Sequence, residues 1–154
     1  MRRVICVLVV LAAPLVLIAG DDDAVRKELK ALEGKWKAVS MEAGGIMLPK
    51  DSTPEFTFTV AAGGKSTAKT AQSEDQAMIT VDPKKSPKTI DNLHESGATK
   101  GKKQYGIYKL DGDKWTVCMT QPGVAEGDRP KDFATKGTAN VVFIFERVKE
   151  DKKP

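Results

Sequence analysis

Two alternating runs joined by Asp111-Gly112 constrain this chain more than any other feature. Gln104 to Leu110 and Lys114 to Gln121 both read as strands, and Asp-Gly between such runs is a strong signal for a type I′ hairpin turn. A two-residue loop pairs Leu110 with Asp113, and a four-residue loop pairs Leu110 with Trp115. The two registers differ by an even step, so both put the same residues on each face. Tyr108, Leu110, Trp115, Val117 and Met119 share the more apolar face, which is placed inward; Tyr105, Ile107, Thr116, Cys118 and Thr120 share the other. Gly106 falls among the inward residues, where it makes room for a ring or permits a bend.

The pattern continues on both sides of the hairpin. Trp36–Met41, Glu55–Val60, Lys65–Ala71, Gln76–Val81, Lys88–Leu93 and Asn140–Val148 extend between Gly- and Pro-containing turns. About eight short strands with regular turns specify an all-β fold, an antiparallel barrel or sandwich. Ahead of them, Ala24–Glu33 places Val25, Leu29 and Leu32 on one helical stripe, with Asp22 or Asp23 as cap and Gly34 as stop. A helix this short needs a surface to lie on, and the end of a barrel or sheet supplies one.

Residues 1–20 read as a secretory signal peptide: Arg2 and Arg3, an apolar run from Val4 to Ile18, then Ala19-Gly20 before Asp21-Asp22-Asp23. The alternative is an uncleaved N-terminal anchor, the only membrane attachment the sequence offers. Residues 21–33 then carry the helix, 34–149 the barrel domain and 150–154 a charged tail. The expected location is exported: periplasmic, cell-envelope or secreted. The formal net charge is +4, and Arg2 and Arg3 supply half of it. The remaining lysines are interspersed with acids, with no basic stripe interleaved with aromatics, so nucleic acid is not an expected partner. Of the two cysteines, Cys6 lies in the leader and Cys118 is left without an internal disulfide partner. Cys118 is a small apolar strand residue, a reactive thiol or a bridge to a second chain.

Three short motifs carry no chemistry. Gly64-Lys65-Ser66 mimics the end of a phosphate-binding loop, but Thr59 stands where the first glycine belongs. Asp111-Gly112-Asp113 lacks the later ligands of a calcium loop. His94 is the only histidine and reads as an exposed loop residue. No catalytic residue, metal site or cofactor is expected.

Leu32-Glu33-Gly34-Lys35-Trp36 has the G-x-W spacing found where a lipocalin-type barrel begins, and Arg147 on the last strand is placed to lie against that indole. Together with Pro87-Lys88-Thr89-Ile90-Asp91, Gly106-Ile107-Tyr108, the Cys118 hairpin, Arg129-Pro130-x-x-Phe133 and Glu146-Arg147, these residues resemble an uncharacterised family of small exported planctomycete proteins with a lipocalin-like fold. The resemblance runs from Leu32 to Val148. It implies export and a lipocalin-like barrel, supplies no catalytic residues, and implies an aliphatic residue where Trp115 stands.

Gly34, Asp91, Gly106, Arg129, Pro130, Phe133 and Arg147 are expected to be structural. Arg129 either binds an external carboxylate or phosphate or pairs internally with Asp91 to hold a long loop, with Phe133 anchoring that loop inside. Three functions follow. The first is a binder of a small apolar molecule in a hollow barrel lined by Trp36, Phe56, Phe58, Tyr108, Trp115, Met119, Phe143 and Phe145, with a cavity of several hundred Å³ on the order of ordinary ligand sites. The second is a structural or protein-interaction module of the cell envelope with a filled core and an exposed apolar patch; no protein partner is indicated. The third, an enzyme, lacks any nucleophile–base pair.

Overall fold

The computed structural model describes residues 20–149, so all but the last residue of the leader, and the charged tail, lie outside the described residues. Eight antiparallel strands close into a barrel. They are β1 (Gly34–Ala43), β3 (Phe56–Val60), β4 (Lys65–Thr70), β5 (Glu74–Asp82), β6 (Lys88–His94), β7 (Lys103–Asp111), β8 (Lys114–Met119) and β9 (Val141–Arg147). Neighbours in sequence are neighbours in the sheet, and β9 returns to pair with β1. This is the up-and-down plan of a lipocalin-like barrel, which leaves no open edge along its main wall.

A ninth strand, β2 (Ile46–Leu48), folds back on the far half of β1, whose near half pairs with β3. Sequence patterning missed it, because three residues after Gly44-Gly45 show no alternation. β1 also carries a bulge between Ala38 and Ser40, which shifts its register against β9. The bulge lets one strand serve both neighbours while bending around the wall.

The hairpin takes the register Leu110↔Trp115, closed by Asp111↔Lys114, so the loop is Gly112-Asp113. Gly112 has φ +58°, and among the described residues no residue other than glycine has a positive φ. A positive φ at the first loop position alone is the sign pattern of type II′, not the expected type I′, which needs it at both. The expected sidedness is unaffected. Tyr108, Trp115, Val117 and Met119 join the interior cluster with Trp36, Phe58, Ile79, Ile90 and Phe145.

Helix α1 (Gly20–Leu32) begins four residues earlier than its apolar stripe suggested and plugs one end of the barrel. Val25, Leu29 and Leu32 pack onto the interior cluster. Gly34, at φ +118°, turns the chain directly from helix into β1. Arg147 clasps the junction. Its guanidinium lies 4.1 Å from the centre of the Trp36 ring and donates to the carbonyls of Glu33 (2.5 Å) and Ala31 (2.7 Å). Those carbonyls belong to the last turn of the helix and its exit, which have no partner within the helix. Trp36 Nε1 donates to the carbonyl of Leu32 at 2.8 Å. On the opposite flank of α1, Glu28 accepts from Lys88 Nζ (2.6 Å) and from the Tyr108 hydroxyl (3.1 Å).

The connection from Thr120 to Asn140 crosses the outside of β7, β8 and β9. Beneath it lies a second apolar cluster of Ile107, Cys118 and Val142, and Phe133 packs there. Phe133 thus anchors the strap against the outer wall, not inside the barrel as expected. Cys118 faces outward as expected, yet it is wholly covered. Arg129 fixes the strap: its Nη1 donates to Asp91 Oδ1 (2.6 Å) and to the Gly106 carbonyl (3.0 Å), and its guanidinium lies over Tyr105. Pro130 is buried beside it. Thr135, fully buried, ties the far end to the β1–β2 turn by donating to Glu42 (2.6 Å) and accepting from the Gly45 amide (2.8 Å).

Candidate functional site

With α1 closing one end, the barrel is open to a cavity at the other. The aromatic residues form a ladder along its axis. Trp36 meets Trp115 edge-on at 5.5 Å; Trp115 meets Phe58 (5.5 Å) and Phe145 (5.3 Å); Phe56 meets Phe145 (5.5 Å) and Phe143 (5.2 Å). Each such contact adds about 0.5–1.5 kcal/mol beyond its area. The deep part of the ladder is solid. Trp36 and Tyr108, although inward, pack at the plugged end and do not reach the cavity.

The remaining six residues of the expected interior set, Phe56, Phe58, Trp115, Met119, Phe143 and Phe145, all line a cavity of about 190 Å³. That is smaller than the several hundred Å³ expected of a hollow barrel, because Trp36, Tyr108 and Leu32 occupy the plugged end. It exceeds the roughly 150 Å³ that accommodates benzene in a dry protein cavity. Gly106 shapes its wall: a Cβ there would collide with Met119 Sδ and the Cys118 carbonyl. The glycine makes room for a methionine sulfur and a neighbouring strand, not for a ring.

The mouth is polar, and sequence reasoning did not find it. Asp75, Gln76, Asn92, His94 and Gln104 come from the strand ends of β5, β6 and β7, and Thr99 comes from the loop that follows β6. His94 is the last residue of β6, half-buried, not a free loop histidine. Its Nε2 shares a hydrogen bond with Gln104 Oε1 (3.2 Å), and Gln104 Nε2 donates to the Thr120 carbonyl (2.7 Å). The signal was present in the two-residue period: Ile90, Asn92 and His94 share one face of β6, so the inward row turns from apolar to polar toward the mouth.

Two buried side-chain atoms stand apart. Trp115 Nε1 and Asn92 Oδ1 are buried and have no hydrogen-bond partner. Burying such a group unpaired costs about 1–3 kcal/mol. Among the described residues no group of three or more His, Cys, Asp or Glu is placed to hold a metal ion, and no helix is long and apolar enough to cross a membrane. The internal Arg129–Asp91 pair occupies the cation that could otherwise take an external anion.

No family model, curated protein or solved structure matches this chain.

Proposed function

We propose that this domain is exported and holds a small, largely apolar molecule in the open end of the barrel, as a member of the lipocalin-like planctomycete family its motifs resemble. The observation that carries the reading is the aromatic-lined cavity of about 190 Å³ beneath a polar mouth. Five aromatics and Met119 line that space and leave it unfilled, whereas Leu32, Trp36 and Tyr108 fill the barrel at the α1 end. A ligand of roughly ten non-hydrogen atoms suits the volume, judged against benzene in a slightly smaller cavity. Native mass spectrometry of the protein purified from its own host tests this. The expected result is a discrete added mass lost on denaturation; apo protein alone, together with no uptake of small aromatic probes, overturns it.

A second reading, a cell-envelope interaction module, is favoured by β2. Ile46 and Met47 are 70% and 57% exposed on a strand with a free edge. Cross-linking in intact cells should then capture one defined protein, and I46K/M47K should abolish the capture. Capture that survives this change sinks the reading.

A further inference from the structure

The charge at the open end of the barrel is one-sided. Asp75 stands on β5 in the same row as Ala77, Ile79 and Val81, which face the interior. Residues two apart on a strand share a face, so the Asp75 side chain takes the inward direction. Its register partner on β4 is Ala68, which packs on the interior cluster and lines the cavity with it. Asp75 is half-buried there. Among the described residues no hydrogen bond or ion pair engages its carboxylate. Lys69, the neighbour of Ala68, turns to the outer face and pairs with Glu74 at 3.4 Å. No Lys or Arg lines the cavity, and His94, its other titratable lining side chain, is engaged with Gln104 at 3.2 Å.

The loop after β6 holds this carboxylate in place without neutralising it. The Glu95 and Ser96 amides donate to the Gln76 carbonyl (2.8 and 3.3 Å), and Ser96 Oγ accepts from the Gln76 amide (2.7 Å). The loop is thereby drawn so close that a Cβ on Gly97 would lie 1.9 Å from Asp75 Oδ1. The apolar surface lies across the sheet. Register runs from Asp75 to Ala68 to Phe58, so Phe58 stands two strands away, about 10 Å between backbones, with only an alanine between. An anion entering here would lose hydration, meet a like charge and find no counter-charge. A neutral molecule would leave the carboxylate to water. A cation on an apolar body satisfies both surfaces at once, and a carboxylate already fixed in position loses little freedom in binding it.

We infer that the cavity selects a small organic amine: an ammonium group held by Asp75 at the mouth, with an aromatic or branched aliphatic body against Phe58 and its neighbours. This inference rests on the ligand-binding reading above. It deepens that reading by naming the charge of the ligand and the end at which the charge sits. Arylmethyl- and arylethylamines have this layout and fit the volume.

Calorimetric titration of the whole domain with three probes of one shape tests it: the cation 4-methylbenzylamine, its hydrocarbon isostere 4-ethyltoluene and the anion 4-methylbenzoate. A pH of about 8 keeps the ammonium charged while an ordinary imidazole is neutral. The expected order is 4-methylbenzylamine tighter than 4-ethyltoluene by roughly tenfold, with 4-methylbenzoate weakest. D75N keeps the shape of the side chain and removes its charge. It should lower the affinity for the amine itself by roughly tenfold, with near-UV circular dichroism and a urea transition showing that the variant is folded. D75S serves if D75N does not fold. Amine binding that is unchanged in the folded variant overturns the inference, because the charge is then read elsewhere. Equal or tighter binding of the hydrocarbon, or tightest binding of the carboxylate, also overturns it but leaves the binder reading standing. Failure of all three probes, with no co-purified molecule, removes both.

Discussion

Arg129 carries several contacts at once. It neutralises Asp91, caps a β7 carbonyl, covers Tyr105 and reaches Glu126 at 3.3 Å, with its side chain only 18% exposed. Burial works against its charge, yet the bond to Asp91 and the field of both acids hold its pKa above the ordinary value. R129A should cost about 2–3 kcal/mol in urea unfolding, since it leaves Asp91 and a strand carbonyl without their partner. The same change should uncover Cys118. In the native protein burial, and then Asp132 and Glu42, push that thiol up to about 11 from 9.0. The folded state therefore keeps a proton that the unfolded chain releases. The stabilisation is whole below about pH 9 and is lost as pH rises through 11. Alkylation at neutral pH should be slow in the native protein and at least several-fold faster in R129A, by mass spectrometry. C118A should remove this part of the alkaline loss, read as a flatter urea midpoint between pH 9 and 11 than in the parent. The Arg129–Asp91 pairing was one of two readings open in the sequence; the burial of Cys118 was not legible there. Alternation tells which face a strand residue takes, but not what a long connection without a period will lay over it.

Among the elements, α1 depends most on a single side chain. Its 13 residues are too few to hold a helix alone in water. Arg147 joins its last turn to β9 through two carbonyls, to the β7–β8 turn through Asp113 at 3.1 Å, and to β1 through the Trp36 ring. R147K keeps the charge and loses the planar fork, so it cannot reach both carbonyls while covering the indole. It should cost about 1–2 kcal/mol, and R147A more, with α1 amides losing hydrogen-exchange protection before those of the strands. If α1 exchanges in step with the strands in R147K, the clasp is not what holds it. The strands themselves were legible because Phe56-Thr57-Phe58-Thr59-Val60 and its counterparts keep a strict period of two. The hairpin turn was misjudged because Asp-Gly fixes the presence of a turn more firmly than which residue occupies its first position. β2 escaped notice because it is shorter than any period it could display.

Across the whole molecule, the inward row changes character from one end to the other. At the α1 end Leu32, Trp36 and Tyr108 fill the barrel; toward the mouth Ala68 and Ala77 replace large residues, and Asn92 and Gln104 replace apolar ones. Sequence alternation could sort inside from outside, but volume is a sum over facing strands, and no single strand displays it. Ala68 on β4, packed against the core and lining the cavity, offers a direct reading of that sum. Were the barrel close-packed there, A68L would strain its neighbours and cost about 1–3 kcal/mol. With room available, the added methylene groups leave water and meet Phe58 and its neighbours instead, at about 0.8 kcal/mol per buried group in the ideal case. The expected outcome of A68L is therefore a gain of about 1 kcal/mol in urea unfolding, together with at least a tenfold loss of affinity for 4-ethyltoluene as the side chain takes the ligand's place. The two readouts must move together, because the same volume governs both. A destabilised A68L protein that still binds the probe would place the binding surface elsewhere, with the β2 edge and its Ile46 and Met47 the next region to examine.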